Sequence, residues 1–300
     1  MTAADPLASI RTPIAQATQA WATMTLAGIR EHFDAFLTAQ GGPRNPSIEA
    51  QFFELAGLPA CRFTPQDAVA QEPILFCHGG GYQIGSITSH ASLMSRIASA
   101  CARPVIGFNY RLAPEHRCPA ASDDCLSAYE KLIEQGVVPH ALMGDSAGGA
   151  LALGTAMRAR DARLPSPLKL VLISPWLDLA MSSASYETLK DQDIFSKPEQ
   201  LRLMARTYVG RNGDPSDPLA SPIYGDLGGL PPTLIHAGGA DITRDDAILL
   251  KEKAAQQKWD ISVKIFPAMV HHFQMFVALP EAARSLQEIA DFVNADASTA

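Results

Sequence analysis

The sequence has little of what several functional classes require. It contains five cysteines but no C-x-x-C pair, which leaves zinc ribbons and thioredoxin-like redox sites poorly supported. It has no lysine- or arginine-rich run and a net charge of -7, which argues against a nucleic-acid partner. No apolar run approaches the ~18 residues of a membrane span, and the N-terminus lacks the basic and apolar regions of a signal peptide. These absences predict a cytoplasmic protein with free thiols.

What is present is apolar sequence in a regular alternation. The chain has 300 residues, of which 47% are hydrophobic and 18% charged, enough for one large α/β domain. The predicted strands lie at 48–55, 60–63, 74–77, 104–109, 140–143, 168–173, 234–237 and 261–266. The predicted helices lie at 89–102, 123–134, 147–160, 245–257 and 280–294. Strands separated by helices of this length predict a mostly parallel central sheet flanked by helices.

Two segments fall outside the alternation. Residues 6–40 have apolar positions at helical spacing, and residues 180–215 form an insertion with a predicted helix at 198–208. We expect residues of about 1–45 and 180–215 to form a helical cap on a single domain spanning 1–300. The cap would cover the sheet edge where open α/β folds bind ligands. Candidates for an apolar pocket under it, with ordinary packing as the alternative, are Met24, Phe33, Phe36, Phe195 and Met204.

The stretch from Gly144 to Gly148 reads G-x-S-x-G between an apolar strand and an Ala/Leu-rich helix. A serine hydroxyl is a poor nucleophile and must be exposed, held rigidly and reached by a base. A sharp strand-to-helix turn does this, and small flanking residues let the turn close. The pattern makes Ser146 the candidate nucleophile, with a plain strand–turn–helix junction as the alternative.

A second glycine-rich stretch, HGGG at residues 78–81, follows a buried strand. A phosphate loop is the alternative, but no G-K-[ST] follows and no G-x-G-x-x-G is in register. An oxyanion hole explains it better, because backbone N–H groups must converge on the developing negative charge without obstruction by side chains. We assign the oxyanion hole to the N–H groups of Gly79, Gly80 and Ala147, and expect His78 to fix the loop.

In a sheet of this type the acid and then the base follow the serine along the chain. His236 lies inside an apolar strand and is expected to be a core residue. His271 and His272 lie in the loop after strand 261–266, where the base belongs. Adjacent histidines are poor joint metal ligands, so we discount a metal site there.

The acid should follow the preceding strand, and Asp241 lies in the loop after strand 234–237. Asp245 and Asp246 are better explained as residues of a helix N-terminus, where carboxylates are favoured. Asp241 is therefore the candidate partner of the histidine. Asp145, beside the serine, is expected to anchor the turn rather than to catalyse.

At these residues the sequence resembles the hormone-sensitive-lipase-like esterases of the α/β-hydrolase fold, over residues of about 73–280. The segments that carry the resemblance are HGGGYQIGS, NYRLAPEHRCPAASDD, GDSAGG and SPWLDL. The second departs from the family pattern, with Arg117-Cys118 where Pro-Phe is usual. The family's M-x-H-x-F matches at Met269, His271 and Phe273, which selects His271 as the base.

The resemblance implies a serine carboxylesterase that hydrolyses short- to medium-chain acyl esters without cofactor or metal. It also implies homodimers, and Trp176 as a pocket or core residue. Lactone, amide or acyl-transfer chemistry on the same triad remains open. Plant gibberellin receptors also resemble this family but have lost a working triad and only bind. The presence of Ser146, Asp241 and His271 favours the enzyme.

Overall fold

A computed structural model describes residues 5–295 and contains one eight-stranded sheet in the order β1-β2-β4-β3-β5-β6-β7-β8. The hairpin β1–β2 is antiparallel, and β2 runs antiparallel to β4. All pairs from β4 through β8 are parallel. The strands are β1 (Ile48–Leu55), β2 (Leu58–Pro65), β3 (Ile74–Cys77), β4 (Val105–Phe108), β5 (Ala141–Asp145), β6 (Lys169–Ile173), β7 (Thr233–Gly238) and β8 (Ile261–Phe266).

Helices cover both faces of this sheet, and apolar clusters fill the space on either side. They are α1 (Ala8–Trp21), α2 (Leu26–Gly41), α3 (Ile87–Cys101), α4 (Ala120–Glu134), α5 (Ala147–Asp161), α6 (Ser185–Thr188), α7 (Pro198–Val209), α8 (Arg244–Gln256) and α9 (Pro280–Asn294). Within residues 5–295 no helix combines the length and the apolarity that a bilayer crossing requires.

The burial of the strands follows their positions in the sheet. Every residue of β3, β4, β5, β6 and β7 is buried, as expected for parallel strands covered by helices on both faces. The edge strand β8 alternates between half-buried and exposed positions and ends at the buried Phe266. The predicted α/β fold with a mostly parallel sheet is confirmed, and all eight predicted strands are present.

The segment 6–40 is helical, as its apolar spacing predicts, but it is not one helix. The chain forms two helices, α1 and α2, with a break at 22–25. Thr25 caps the second helix, since its side chain accepts a hydrogen bond from Gly28 N–H. Residues 1–4 of the predicted cap segment, and 296–300 of the predicted domain, lie outside the described residues.

The parallel strands bring distant parts of the chain to one edge of the sheet. Ser146 follows β5, Asp241 follows β7 and His271 follows β8. Trp21, from α1, packs edge-on against Phe195 of the insertion, with ring centroids 6.3 Å apart. The two segments predicted to form the cap therefore meet beside this edge.

Candidate active site

The turn between β5 and α5 holds Ser146 in a strained conformation, with φ 53° and ψ -122°. The residues two positions before and after Ser146 must be glycine, because other backbone segments pass very close to them. A Cβ atom on Gly144 would collide with the carbonyl oxygen of Gly148, and one on Gly148 would collide with that of Cys77. The two glycines of G-x-S-x-G therefore allow the turn to press against the end of β3.

Ser146, His271 and Asp241 form one chain of hydrogen bonds. The Ser146 hydroxyl donates to His271 Nε2 over 2.7 Å. His271 Nδ1 lies 3.0 Å from each carboxylate oxygen of Asp241 and donates to this carboxylate. Thr243 holds the carboxylate from the other side, since its N–H and its hydroxyl donate to Oδ1 over 2.8 and 2.9 Å. The arrangement fits the removal of a proton from Ser146.

The charges in the site shift the pKa values of Asp241 and His271 in opposite directions. Burial acts to raise the pKa of Asp241, but the His271 charge and hydrogen bond, with those from Thr243, outweigh it and lower this pKa. Burial acts to lower the pKa of His271, but the carboxylates of Asp241, Asp193 and Asp145 outweigh it and raise this pKa. The imidazole is therefore a stronger base than an isolated histidine.

The predicted oxyanion donors differ from those that the structure leaves available. Gly79 N–H donates to Asp145 Oδ1 over 2.8 Å, so it is not free to meet an oxyanion. Gly80 and Gly81, not Gly79, line the cavity beside Ser146. In the part of the chain that the structure describes, the N–H groups of Gly80, Gly81 and Ala147 take part in no hydrogen bond. The available glycine donors are therefore Gly80 and Gly81 instead of Gly79 and Gly80, because Asp145, 66 residues further along the chain, occupies the Gly79 N–H.

Asp145 is the centre of a second buried cluster. Besides Gly79 N–H, its carboxylate accepts hydrogen bonds from His272 Nδ1 over 3.0 Å and from His90 Nε2 over 3.3 Å. These bonds connect the serine turn, the glycine loop, the histidine loop and helix α3. The predicted anchoring function of Asp145 agrees with these contacts.

The cavity above Ser146 is narrow and largely apolar, with a free volume of about 40 Å³. Its lining includes the predicted residues Phe33, Phe195 and Met204, and also Trp176. Two further predicted residues do not line it: Met24 is 37% exposed, and Phe36 packs against Trp21 and Phe276. Residues that the sequence analysis missed in the lining are Trp21, Ile84, Ser196, Gln200 and Leu201.

Asp193 was also missed, and it connects the insertion to the Asp241 loop. Its buried carboxylate accepts from the N–H groups of Phe195, Ser196 and Ile242 over 2.8, 3.0 and 3.1 Å. Burial and the Asp241 charge raise the pKa of Asp193 to about 6. No sequence pattern marks this contact, whereas Thr243 could have been found from its position two residues after an aspartate.

The remaining histidine predictions concern structural positions. His78 stacks on Tyr110 with ring centroids 4.2 Å apart, and Tyr110 donates its hydroxyl to the His78 carbonyl over 2.8 Å. His236 is buried in β7 as predicted, with Nδ1 2.8 Å from Ser285 Oγ. Asp245 and Asp246 lie in the first turn of α8, as predicted. Among residues 5–295 no three metal-binding side chains are grouped as a metal site would require.

Comparisons with known proteins agree with this fold. A family model described as alpha/beta hydrolase fold matches residues 74–275. The chain is 37% identical to an esterase of Acinetobacter venetianus over 253 residues, 83% of each chain. It is 40% identical to an acetyl-hydrolase of Streptomyces hygroscopicus over 223 residues, 73% of this chain and 74% of the relative.

A solved structure matches almost the whole chain. It is an esterase from the bacterial hormone-sensitive lipase family, with a TM-score of 0.91, 32% identity and 98% of both chains covered. The family model and this structure cover the serine turn, the glycine loop and the histidine loop together. The chain therefore belongs to the α/β-hydrolase fold family, among the esterases related to bacterial hormone-sensitive lipase.

Proposed function

We propose that this carboxylic ester hydrolase acts through Ser146 as nucleophile, His271 as general base and Asp241 as the residue that orients His271. The observation that carries the proposal is the unbroken chain of hydrogen bonds from Ser146 Oγ through His271 to Asp241, at 2.7 and 3.0 Å. It lies at the strained turn that exposes the serine to the cavity. Ester hydrolysis through a serine needs a nucleophile, a base and a residue that orients the base within hydrogen-bonding distance of one another.

The reaction has two halves. Ser146 Oγ attacks the ester carbonyl carbon while His271 Nε2 takes its proton, and the tetrahedral intermediate carries the negative charge on the former carbonyl oxygen. When the bond to the alcohol breaks, His271 gives its proton to the leaving alcohol and an acyl-enzyme remains. Water, deprotonated by His271, then attacks the acyl-enzyme and releases the carboxylic acid and Ser146.

The oxyanion is stabilised by the N–H groups of Gly80, Gly81 and Ala147. Their freedom from other hydrogen bonds in the described residues supports this, as does the place of both glycines in the cavity wall. Ala147 opens α5, so its N–H lies at the positive end of the helix. Preorganised donors of this kind typically accelerate acyl transfer by about 10²–10³ each.

Short acyl chains are the preferred substrates. A free volume of about 40 Å³ above Ser146 is small beside the roughly 300–1,000 Å³ that is typical of ligand pockets. Longer chains require the apolar walls of the cavity to separate. A relative named an acetyl-hydrolase supports the same preference.

The helices α1 and α2 with the insertion act as a cap over this cavity. Trp21 and Phe33 from the N-terminal segment and Phe195, Leu201 and Met204 from the insertion form much of its wall. A cytoplasmic location is supported by five free thiols. A homodimer through an edge strand of the sheet stays a prediction.

The test is hydrolysis of p-nitrophenyl esters from acetate to palmitate by the wild type and by Ser146→Ala. We expect turnover to be highest for the short chains and to fall by about 10⁴-fold or more in the variant. Ser47→Ala, at an exposed serine, is the matched control and should retain full turnover. A folded wild type that hydrolyses none of these esters would disprove the proposal and favour lactone or amide substrates, or a binding function.

A further inference from the structure

His272 places a second imidazole in the wall of the catalytic cavity. It is 2% exposed, and it lines the cavity together with Ser146 and His271. Its ring centroid lies 4.7 Å from that of His271 and 4.7 Å from that of Phe195, which packs edge-on against it. The His272 ring is therefore fixed by packing in the same cavity wall as Ser146, next to the histidine that bonds to this serine.

The hydrogen bond to Asp145 determines which nitrogen of His272 carries the proton. A carboxylate can only accept, so Nδ1, 3.0 Å from Asp145 Oδ2, must be the donor. Burial lowers the pKa of His272 to about 4, against the opposing effect of the Asp145 hydrogen bond. The ring is therefore neutral at pH 7, and its Nε2 is a hydrogen-bond acceptor.

This acceptor is buried without a partner. Among the described residues, nothing donates a hydrogen bond to His272 Nε2. Ser196 and Gln200 line the same cavity, but neither bonds to it. An unpaired buried acceptor is destabilising because it has lost its hydrogen bond to water, and this loss is recovered when a bound molecule supplies a donor. The aromatic side chains in the same cavity wall, Trp21, Phe33 and Phe195, can contact such a molecule only through apolar packing.

We infer that His272 determines specificity: its Nε2 accepts a hydrogen bond from a hydroxyl group of the ester substrate. The inference rests on the proposed ester hydrolysis and adds a substrate class, esters that carry a hydroxyl a few bonds from the carbonyl carbon. The hydroxyl belongs to the acyl group or to the alcohol. A site that pairs with a hydroxyl discriminates against an analogue that lacks it, because the acceptor is then desolvated without a partner.

The experiment compares pairs of esters in which a methyl group replaces the hydroxyl. Ethyl β-hydroxypropionate against ethyl butyrate tests the acyl group, and hydroxyethyl acetate against propyl acetate tests the alcohol. Hydrolysis is followed by titration of the released acid. For each pair the ratio of kcat/KM values is divided by the ratio of the rates with hydroxide, which removes the intrinsic reactivity of the esters.

The wild type should prefer the hydroxylated ester by roughly tenfold in at least one pair, and the pair that shows it identifies the source of the hydroxyl. His272→Asn removes Nε2 but can keep the donation to Asp145 through its amide N–H, and asparagine tolerates the left-handed backbone at φ 36°. In this variant the normalised ratio should fall to about one. The normalised ratio still tests the inference if the variant hydrolyses both esters of a pair more slowly, because an equal loss on both cancels.

His90→Gln is the matched control, because the glutamine amide can take the place of His90 Nε2 beside Asp145, and His90 does not line the cavity. It should keep the wild-type preference. A wild-type ratio near one in both pairs would overturn the inference and leave ester hydrolysis intact, as would equal loss of preference in both variants. Absence of turnover with every ester would overturn the proposed function and this inference with it.

Discussion

Two histidine–carboxylate pairs lie side by side in this molecule and have opposite properties. In both pairs Nδ1 lies 3.0 Å from an oxygen of a buried aspartate: Asp241 for His271 and Asp145 for His272. Burial acts to lower both histidine pKa values. Yet the pKa of His271 is raised, whereas that of His272 falls to about 4. Pairing with a carboxylate therefore does not by itself produce a basic histidine.

The difference comes from the charges around each histidine, since each carboxylate has three donors. Positive charge on His271 and His90 opposes protonation of His272 and adds to the effect of burial on its pKa. His271 faces Asp241 and also the negative charges of Asp193 and Asp145. Adjacent residues thus become a strong base and a neutral acceptor.

The largest effect should come from Asp241→Asn. The amide cannot stabilise a protonated His271 and favours the wrong tautomer, so we expect kcat to fall by about 10⁴. Steady-state kinetics with p-nitrophenyl acetate measure this. Asp245→Asn, in the first turn of α8, is the control and should stay within about twofold of the wild type. Comparable kcat values in the two variants would exclude Asp241 as the partner of His271.

Asp145→Ala should affect stability, because Gly79 N–H, His90 and His272 all lose their acceptor. We expect the free energy of unfolding to decrease by about 3 kcal/mol, measured by urea denaturation at pH 7. Since the pKa of Asp145 is held well below its ordinary 3.8, its stabilisation is fully present above that pH and declines under more acidic conditions. The exposed Asp67→Ala should change little, and equal losses in both variants would contradict the comparison.

The pH dependence tests the charges around His271. Catalysis needs the neutral imidazole, so kcat/KM should rise with pH through a midpoint above the ordinary 6.5. Asp193→Asn removes one of the negative charges that raise this pKa and should lower the midpoint by about half a unit. A midpoint that stays unchanged in this variant would show that Asp193 does not act on His271.

The smallest effect should come from Thr243→Val, which removes the hydroxyl bond to Asp241 and leaves the backbone N–H bond. We expect a loss of roughly three- to tenfold in kcat/KM, because the N–H of residue 243 and His271 still hold the carboxylate. Thr243→Ser keeps the hydroxyl and should retain most of the activity. Identical losses in the two variants would mean that the methyl group, not the hydrogen bond, matters.

The sequence was sufficient for the sheet and for the order of the candidate site residues. Continuous apolar runs such as 168–173 are distinctive when both faces of a strand are buried, and strand ends place Ser146, Asp241 and His271 at one edge. The break at 22–25 was missed because the only local sign is the capping residue Thr25, without glycine or proline. The use of Gly79 N–H depends on a contact 66 residues away, which no local pattern reveals.

Asp145 also has a consequence for the way in which the enzyme becomes active during folding. Its carboxylate joins Gly79, 66 residues earlier, to His272, 127 residues later, and both contacts are needed to fix the loops around the serine. Contacts of such large separation form late, after local helices and neighbouring strands. We therefore expect catalytic competence to be acquired late in folding, when this carboxylate pairs with its distant partners.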